Sequence, residues 1–411
     1  MLVQKPGTHY DVIVIGAGMV GASFALALRR SLPGRNSVLV VEAARTDPGQ
    51  SSSPSFDDRS TALSFGSSRI LQQIDLWPGL VDQITPIHRI HVSDRGHFGS
   101  ALLDRDSEGV AALGYVVENR HFGQLLNQAL QDQEGLDFLA PARVDSIVPG
   151  ATGMSLRLLL DDESPAEVTA GLVVLADGGR SPICEKLGIG MVKQHYGQRA
   201  IIANIGCDRN HDNVAYERFT DSGPMAVLPL QPRDGVSRGA LIWTVAEADA
   251  DAFMALAEQE LIRILQERFG FRLGRIVRIG QRACYPLSLQ IAREQIRPGL
   301  VLLGNVAHTL HPVAGQGFNL ALRDASELVS ELTRAVAAGR SPGDMQVLQR
   351  FQNRQQGDQD RTIGFSHYLT RLFSNNRSGL IWARKFGLAS IDLVPIIRHE
   401  FARSAMGLAD R

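Results

Sequence analysis

The feature that most constrains the fold is a glycine turn near the N-terminus. The segment YDVIVIGAGMVGASFALAL, residues 10–28, is an apolar β-branched run followed by Gly16-x-Gly18-x-x-Gly21 and a helical stretch. The apolar run predicts a buried parallel strand, and SVLVVE at 37–42 predicts a second. Strand, glycine turn, helix and strand within about 30 residues form a βαβ unit. The unit predicts an α/β fold, with a helix from Met19 to about Ser31.

The glycine spacing predicts a dinucleotide site. Gly16 permits the tight turn, Gly18 lets backbone approach a pyrophosphate, and Gly21 lets the helix pack on the strand. The helix start offers free N–H groups and partial positive charge to that pyrophosphate. Glu42 ends the second strand, where a carboxylate accepts hydrogen bonds from a ribose. FAD and NAD both remain open here, and the alternative is a tight turn beside a surface acid.

Composition excludes several function classes. The 411 residues exceed one compact core, so we expect two domains or one domain with an insertion. The net charge of −1 gives no basic field for nucleic acid. The three cysteines have no paired spacing, which predicts a reducing, cytoplasmic compartment without a metal site or disulfide scaffold. No other apolar run is long enough to span a membrane, and the phased glycines argue against a signal peptide.

A second glycine turn distinguishes the two dinucleotides. In GNVAHTLHPVAGQGFNLALRD, residues 304–324, Gly304 and Gly315-Gln316-Gly317 follow a predicted strand and lead into a helix from about Asn319 to Ala338. An NAD enzyme needs one such loop, whereas a flavin uses a second for its ribityl chain and ring. N–H groups at a helix start can stabilise negative charge on reduced flavin, so the second loop favours FAD.

The motifs together resemble a known family, the group A flavoprotein monooxygenases with the para-hydroxybenzoate hydroxylase fold. The shared motifs, in chain order, are the fingerprint at 16–21, Asp58-Arg59-Ser60, Asn119-Arg120, Ala176-Asp177-Gly178 with Arg180-Ser181, and the 304–317 loop. Within this group HTLHPVAGQGFNLALRD is similar to the ubiquinone-pathway hydroxylases. Asn305 replaces the usual acid after Gly304, as in the branch that hydroxylates 2-polyprenyl-6-methoxyphenol.

The resemblance implies an architecture. We expect a Rossmann-like FAD-binding domain (GR2-type), an inserted, mostly antiparallel β-sheet substrate domain, and C-terminal helices. The predicted division places 1–85, 111–190 and 288–345 in the FAD-binding domain, 86–110 and 191–287 in the substrate domain, and 346–411 in the helical region. Alternating strands such as MAVLPL and ALIWTV should cover the substrate with apolar side chains, and one helix should occupy about 247–269.

The resemblance also implies an activity. NADPH or NADH, bound transiently because the chain has one fingerprint, would reduce FAD. Reduced flavin would react with O2 to form a C4a-hydroperoxide, whose terminal oxygen goes to an electron-rich carbon of a phenol. The expected catalytic residues are His311, Pro312 and Arg59. A backbone-bonded loop histidine and a surface arginine are the alternatives.

Further residues are expected to bind FAD. Asn305 keeps a carbonyl acceptor for a ribityl hydroxyl but loses the charge. Arg120 and Gln124 share a helix face and could reach the phosphates, or form a solvated face. Asp177 could lie near the pyrophosphate, or only cap its turn. The full predicted set is Gly16, Gly18, Gly21, Glu42, Arg59, Arg120, Gln124, Asp177, Gly304, Asn305, Gly315, Gln316, Gly317, Phe318 and Asn319.

The C-terminal region suggests partners. Residues 361–411 contain eight Lys/Arg and three Asp/Glu among apolar residues. This composition is compatible with peripheral contact at the inner face of the membrane, with docking in a multi-enzyme ubiquinone-biosynthesis complex, or with ordinary packing on the core.

Three competing functions of the whole protein stay open: hydroxylation of another aromatic or at another step of the pathway, a flavoprotein reductase or oxidase, and a non-catalytic scaffold subunit without flavin.

Overall fold

The computed structural model describes residues 6–32, 37–45, 59–95, 100–150, 153–220, 223–310, 315–373 and 395–408. The strands of this part are β1 His9–Ile15, β2 Val38–Val41, β3 Ser60–Ser64, β4 Ile84–Ile87, β5 Arg89–Asp94, β6 Ser100–Asp104, β7 Gly114–Glu118, β8 Leu136–Leu139, β9 Arg143–Gly150, β10 Gly153–Leu159, β11 Pro165–Leu175, β12 Met191–Cys207, β13 Val214–Thr220, β14 Gly223–Arg233, β15 Val236–Ala246, β16 Ile276–Ile279, β17 Ala283–Ala292, β18 Ile296–Arg297, β19 Leu300–Leu302 and β20 His308–Thr309.

Helices pack around these strands. They are α1 Met19–Ser31, α2 Phe65–Gln73, α3 Arg105–Glu108, α4 Asn119–Asp132, α5 Pro182–Lys186, α6 Glu247–Ala255, α7 Glu258–Phe269, α8 Gln316–Ala337, α9 Met345–Phe373 and α10 Pro395–Ala405, with 3₁₀ turns at Val81–Gln83 and Gly304–Val306. Of the helices described, none has both the length and the apolar character to cross a membrane.

The first sheet has a parallel centre, and its order is β18-β19-β11-β1-β2-β8, with the β9–β10 hairpin on β11. Alternation along β1 explains its position: Val12 and Val14 pack with α1, whereas Ile13 and Ile15 pack with the core of the other face. Both faces are therefore buried, as in α/β sheets covered on two sides. The predicted α/β class is confirmed.

The second sheet is mostly antiparallel. Its order is β20-β17-β12-β15-β14-β13-β5-β6, with β16 on β12, and a small third sheet has the order β3-β7-β4. One face of the second sheet packs Trp243 and Met225 against Leu261 and Leu265 of α7. The opposite face is free of helices α6 and α7 and forms the wall of a cavity described below.

Two predicted helices have different bounds. The helix expected over about 247–269 is two helices, α6 and α7, because Leu256 adopts an extended backbone conformation with ψ of 147°. Helix α8 begins at Gln316, earlier than the predicted Asn319, because Gly315 already supplies the N-cap. The C-terminal prediction of helices holds for α9 and α10, and residues 374–394 lie outside the described part.

Candidate functional site

The first glycine turn leaves the start of α1 uncapped. Gly18 is the N-cap residue with φ of −64° and ψ of 178°, no side chain caps the helix, and its first turn contains no acid. Gly16 has φ of +98°, and a Cβ there would lie 2.6 Å from the Ala176 carbonyl oxygen. A Cβ at Gly21 would overlap the Gly16 carbonyl oxygen. The N–H groups at this helix start are therefore exposed to an external acceptor.

Glu42 follows β2 and lies beside the same turn. Its Oε2 accepts from the Ala17 N–H at 2.7 Å and its Oε1 from the Ala44 N–H at 2.8 Å. These bonds fix the carboxylate next to the glycine turn. A carboxylate offers about four acceptor positions, so the group can also accept from a ligand hydroxyl.

Asp177 occupies the turn after β11. Its Oδ2 accepts from the Ser181 hydroxyl at 2.7 Å, and Ser181 Oγ in turn accepts from the Cys184 N–H at the start of α5. The other oxygen, Oδ1, is buried and has no hydrogen-bond partner among the described residues. Burial raises the pKa of Asp177 to about 6, against the opposing effect of the Ser181 bond. One oxygen of Asp177 thus holds the Ser181 side chain that caps α5, and the other oxygen is left without a donor.

The second glycine loop forms another uncapped helix start. Gly315 is the N-cap of α8 in the left-handed conformation, with φ of 62°, and no side chain caps the helix. No atom lies within 4 Å of the position that a Cβ would take at Gly317. Gly304 packs against Val20 of α1, so the two glycine turns are neighbours in space. Asn305 is exposed in the 3₁₀ turn and lines the cavity described next.

Asn319 connects this loop to the strand opposite. Its Oδ1 accepts from the Ser64 N–H at 2.8 Å and the Ser67 hydroxyl at 2.7 Å. Its Nδ2 donates to the Ala62 oxygen at 2.9 Å and the Gly315 oxygen at 2.8 Å. All four hydrogen-bond positions of the amide are thus used by protein. The side chain holds the loop in place, and protein atoms occupy the positions that a ligand would otherwise contact.

A cavity of about 670 Å³ opens beside the second loop. Its polar end contains Arg59, Thr61 and Asn119, and the Arg59 guanidinium lies 4.9 Å from the centre of the Tyr285 ring. The long wall is the helix-free face of the second sheet. Residues that line this wall are Ile90, Val92, Ala101, Leu103, Ile202, Ala215, Glu217, Phe219, Ala226, Leu228, Ala240 and Ile242. Gln316, Gly317 and Phe318 meet the cavity from the start of α8.

Other predicted residues lie away from this cavity or outside the described part. Arg120 is half-buried and Gln124 is exposed on α4, and neither lines the cavity. His311 and Pro312 belong to the undescribed segment 311–314. Nearby, His308 is buried, and its Nε2 lies 2.7 Å from Asp324 Oδ2.

Two features of the cavity are absent from the sequence-based predictions. Glu217 lies on its apolar wall, and Phe365 of α9 and Phe401 of α10 line it from the C-terminal region. The signal for Glu217 is the alternation in VAYERFT, where it shares a face with Ala215 and Phe219. The contacts of Phe365 and Phe401 have no comparable local signal.

The hydrogen-bonding groups at the two glycine turns fit the flavin dinucleotide that the motifs predict. Two neighbouring helix starts lack capping side chains, and the second of them faces a cavity large enough for a ring and a substrate. The buried, unpartnered Asp177 Oδ1 beside the first turn adds an acceptor for a ligand donor. These observations support a dinucleotide held at both turns.

Comparison with known proteins gives consistent matches. The family model described as FAD binding domain matches residues 9–350. The ubiquinone hydroxylase UbiL of Rhodospirillum rubrum is 33% identical over 402 residues, covering 97% of this chain and 89% of that protein. The 3-demethoxyubiquinol 3-hydroxylase of Escherichia coli is 29% identical, covering 97% and 98%. The solved structure of p-nitrophenol 4-monooxygenase PnpA from Pseudomonas putida has a TM-score of 0.78 at 18% identity, covering 98% of this chain and 100% of that one.

Proposed function

The chain belongs to the FAD binding domain family of flavin-dependent monooxygenases, among the ubiquinone hydroxylases, and from this premise we propose that it hydroxylates the ring of 2-polyprenyl-6-methoxyphenol. The cofactor is FAD, and NAD(P)H and O2 are the co-substrates. Hydroxylation of another phenol of the same pathway is the competing proposal, because one relative is named for the demethoxyubiquinol step.

The main support for the proposal is the volume and the lining of the cavity. Its volume of about 670 Å³ lies in the range of small-molecule sites. Polar groups and the second glycine loop meet at one end, and the remaining wall is apolar apart from Glu217. A phenol with a polyprenyl tail suits this lining, since its hydrocarbon can lie along the apolar wall while its one hydroxyl meets one of the few polar groups, Glu217 among them. This match supports a lipid-tailed phenol more than a small polar aromatic.

Different residues would bind the two halves of FAD and the substrate. Gly16, Gly18 and Glu42 would hold the adenosine diphosphate half of FAD, and Gly315, Gly317 and Asn305 the ribityl chain and ring. Bound FAD supplies the redox chemistry by which one oxygen atom of O2 reaches the ring. The chain itself binds the tail against Leu228 and Ile242, orients the ring and excludes water. Arg59 would contact flavin, and the roles proposed for His311 and Pro312 fall on the undescribed segment.

The wider organisation is also proposed. We assign 1–85, 111–190 and 288–345 to the FAD-binding domain, 86–110 and 191–287 to the substrate domain, and 346–411 to the helical region. Because α9 and α10 line the cavity, these two helices of the C-terminal region would contribute to the substrate site. Membrane contact, and docking in a multi-enzyme complex, would then use the other surfaces of this basic region.

Asn305→Asp is expected to bind FAD at least as tightly as the wild type. Asn305 lies at the cavity, and a charged acceptor forms hydrogen bonds roughly twice as strong as a neutral one. Asn305→Leu, which has a similar size but no acceptor, should weaken binding by about 0.5–1.5 kcal/mol. Titration of the FAD-depleted proteins with FAD measures both dissociation constants. Weaker binding by the aspartate variant would contradict the assignment of Asn305 to the flavin.

A gene deletion tests the proposed reaction in cells. We expect the deletion strain to accumulate 2-polyprenyl-6-methoxyphenol, identified by mass spectrometry of extracted quinones, and the wild-type gene to restore the quinone. Accumulation of a demethoxyubiquinol would move the activity to the competing step. A normal quinone profile would reject the pathway. A gene encoding the Gly18→Val variant, which is expected to retain little FAD, serves as the control, because a non-catalytic scaffold would still complement the deletion.

A further inference from the structure

Glu217 is a carboxylic acid in the middle of an apolar wall. On β13 it alternates in phase with Ala215 and Phe219, and all three line the cavity. Its neighbours directly across the sheet are Ala226 on β14 and Val92 on β5. The same cross-strand row continues through residues that also line the cavity, Ile242 and Ile202 on one side and Ala101 on the other. One acid thus interrupts a row of hydrocarbon.

The described residues supply neither a hydrogen-bond partner nor a nearby charge for this acid. Glu217 is half-buried and lines the cavity. Burial alone raises the pKa of Glu217 to about 7, and neither a hydrogen bond nor a nearby charge of the described residues offsets the shift. An unpaired buried carboxylate is costly, so its presence on a ligand wall indicates a function.

Few other ionisable residues have atoms that line the cavity. Among the described lining residues they are Arg59 and Tyr216. The Arg59 guanidinium stacks on Tyr285, and the Tyr216 ring packs against Phe269 on the opposite face of the sheet. The neighbouring strands present Val92 and Ala226 to Glu217, and the segments across the cavity, α8, α9 and α10, present Phe318, Phe365 and Phe401. Glu217 is the only carboxyl group among the described lining residues.

We propose that Glu217 is the catalytic base that accepts the hydroxyl proton of the phenolic substrate. This inference rests on the proposed function, because it assigns a role within that reaction. In the step the phenol O–H bond breaks, its electron pair stays on the phenol oxygen, and the proton goes to a carboxylate oxygen of Glu217. No oxidant or reductant is consumed. The resulting phenolate is more electron-rich at its ortho and para carbons, which are the positions to be hydroxylated.

The position and the acidity of Glu217 suit this role. A general base works best when its pKa lies near the operating pH, and such groups contribute about 10²–10⁴-fold to rate. Above a pKa of about 7 the group is ionised and can accept the proton, whereas below it the site is already protonated. The value of kcat/KM should therefore rise with pH through about 7.

The test compares wild-type holoenzyme with Glu217→Gln, Glu217→Asp and Glu167→Gln. Glu167 is exposed on β11 and serves as the matched control. We expect Glu217→Gln to lose about 100-fold in kcat/KM for hydroxylation at pH 8 and to lack the rise around pH 7, with Glu217→Asp intermediate. Stability should not confound the result. Between about pH 4.5 and 7 the unfolded chain releases the Glu217 proton while the folded protein keeps it, so stability falls across that range and is constant above it. Glutamine removes this dependence, so Glu217→Gln should be at least as stable as the wild type at about pH 8.

A second readout does not depend on turnover. Difference absorption of 3-nitrophenol, a weaker acid than 4-nitrophenol that stays mostly protonated in water at about pH 7.5, reports whether the phenol bound to each holoenzyme is ionised. We expect a phenolate band with wild type and Glu167→Gln and its loss with Glu217→Gln. Equal spectra for wild type and Glu217→Gln, or an unchanged pH profile, would overturn the role of Glu217. If wild type ionises the probe but hydroxylates no polyprenyl phenol, the proposed function fails and the base assignment stands.

Discussion

Gly18→Val is expected to give a folded protein that retains less than about a tenth of the wild-type FAD, a loss of more than about 1.4 kcal/mol in binding. Gly18 is the N-cap of α1 with φ of −64°, a conformation that any L-residue adopts without strain. The branched side chain would instead occupy the space through which backbone N–H groups reach a pyrophosphate. Valine caps a helix poorly, which adds a stability cost of about 1 kcal/mol.

The choice of glycine makes this experiment interpretable. A side chain at Gly21 would overlap the Gly16 carbonyl oxygen, and Gly16 itself has φ of +98°, so substitutions there would disturb the turn itself. Gly357→Val is the matched control, because Gly357 is exposed on α9 with no atom within 4 Å of an added Cβ. Visible flavin absorption of the purified proteins, with thermal unfolding, gives the result. Normal flavin content in Gly18→Val would reject the pyrophosphate site.

The sequence alone predicted the features that depend only on residues close together in the chain. The helix predicted from Met19 to about Ser31 matches α1, because the glycine turn and the apolar run define both ends of the unit. MAVLPL and ALIWTV, predicted to cover the substrate with apolar side chains, line the cavity through Ala226, Leu228, Ala240 and Ile242. Period-two alternation needs only the strand itself, so it can be recognised without knowledge of the partner strands.

Tertiary contacts explain what the sequence did not predict. The break at Leu256 separates residues that favour helix, and α6 and α7 instead follow the sheet on which they pack. The wall position of Glu217 depends on β5, which lies more than one hundred residues earlier in the chain. Phe401 reaches the cavity from a helix that composition alone left open to membrane, partner or core packing. Local alternation shows that Glu217 shares a face with Ala215 and Phe219 but not what that face meets, and the break at Leu256 and the Phe401 contact have no local signal.

Asn319→Asp is expected to lower the free energy of unfolding by about 2–4 kcal/mol and to weaken FAD retention. Asn319 is 2% exposed, and the substitution preserves its shape and its acceptor bonds to Ser64 and Ser67. The lost amide hydrogens leave the Ala62 and Gly315 carbonyl oxygens facing a carboxylate. Because Gly315 is the N-cap of α8, the loop that faces the cavity loses one of its attachments.

Denaturant unfolding and FAD titration measure the two effects, and Asn353→Asp, at an exposed position on α9, is the control for the added charge. Excess FAD should recover part of the stability if the variant still binds it, since a ligand bound to the folded state stabilises that state. Lowering the pH should also help the variant, because protonation of the new carboxyl group restores one donor toward the two carbonyl oxygens. An unfolding free energy equal to that of Asn353→Asp would show that the amide bonds do not hold the loop.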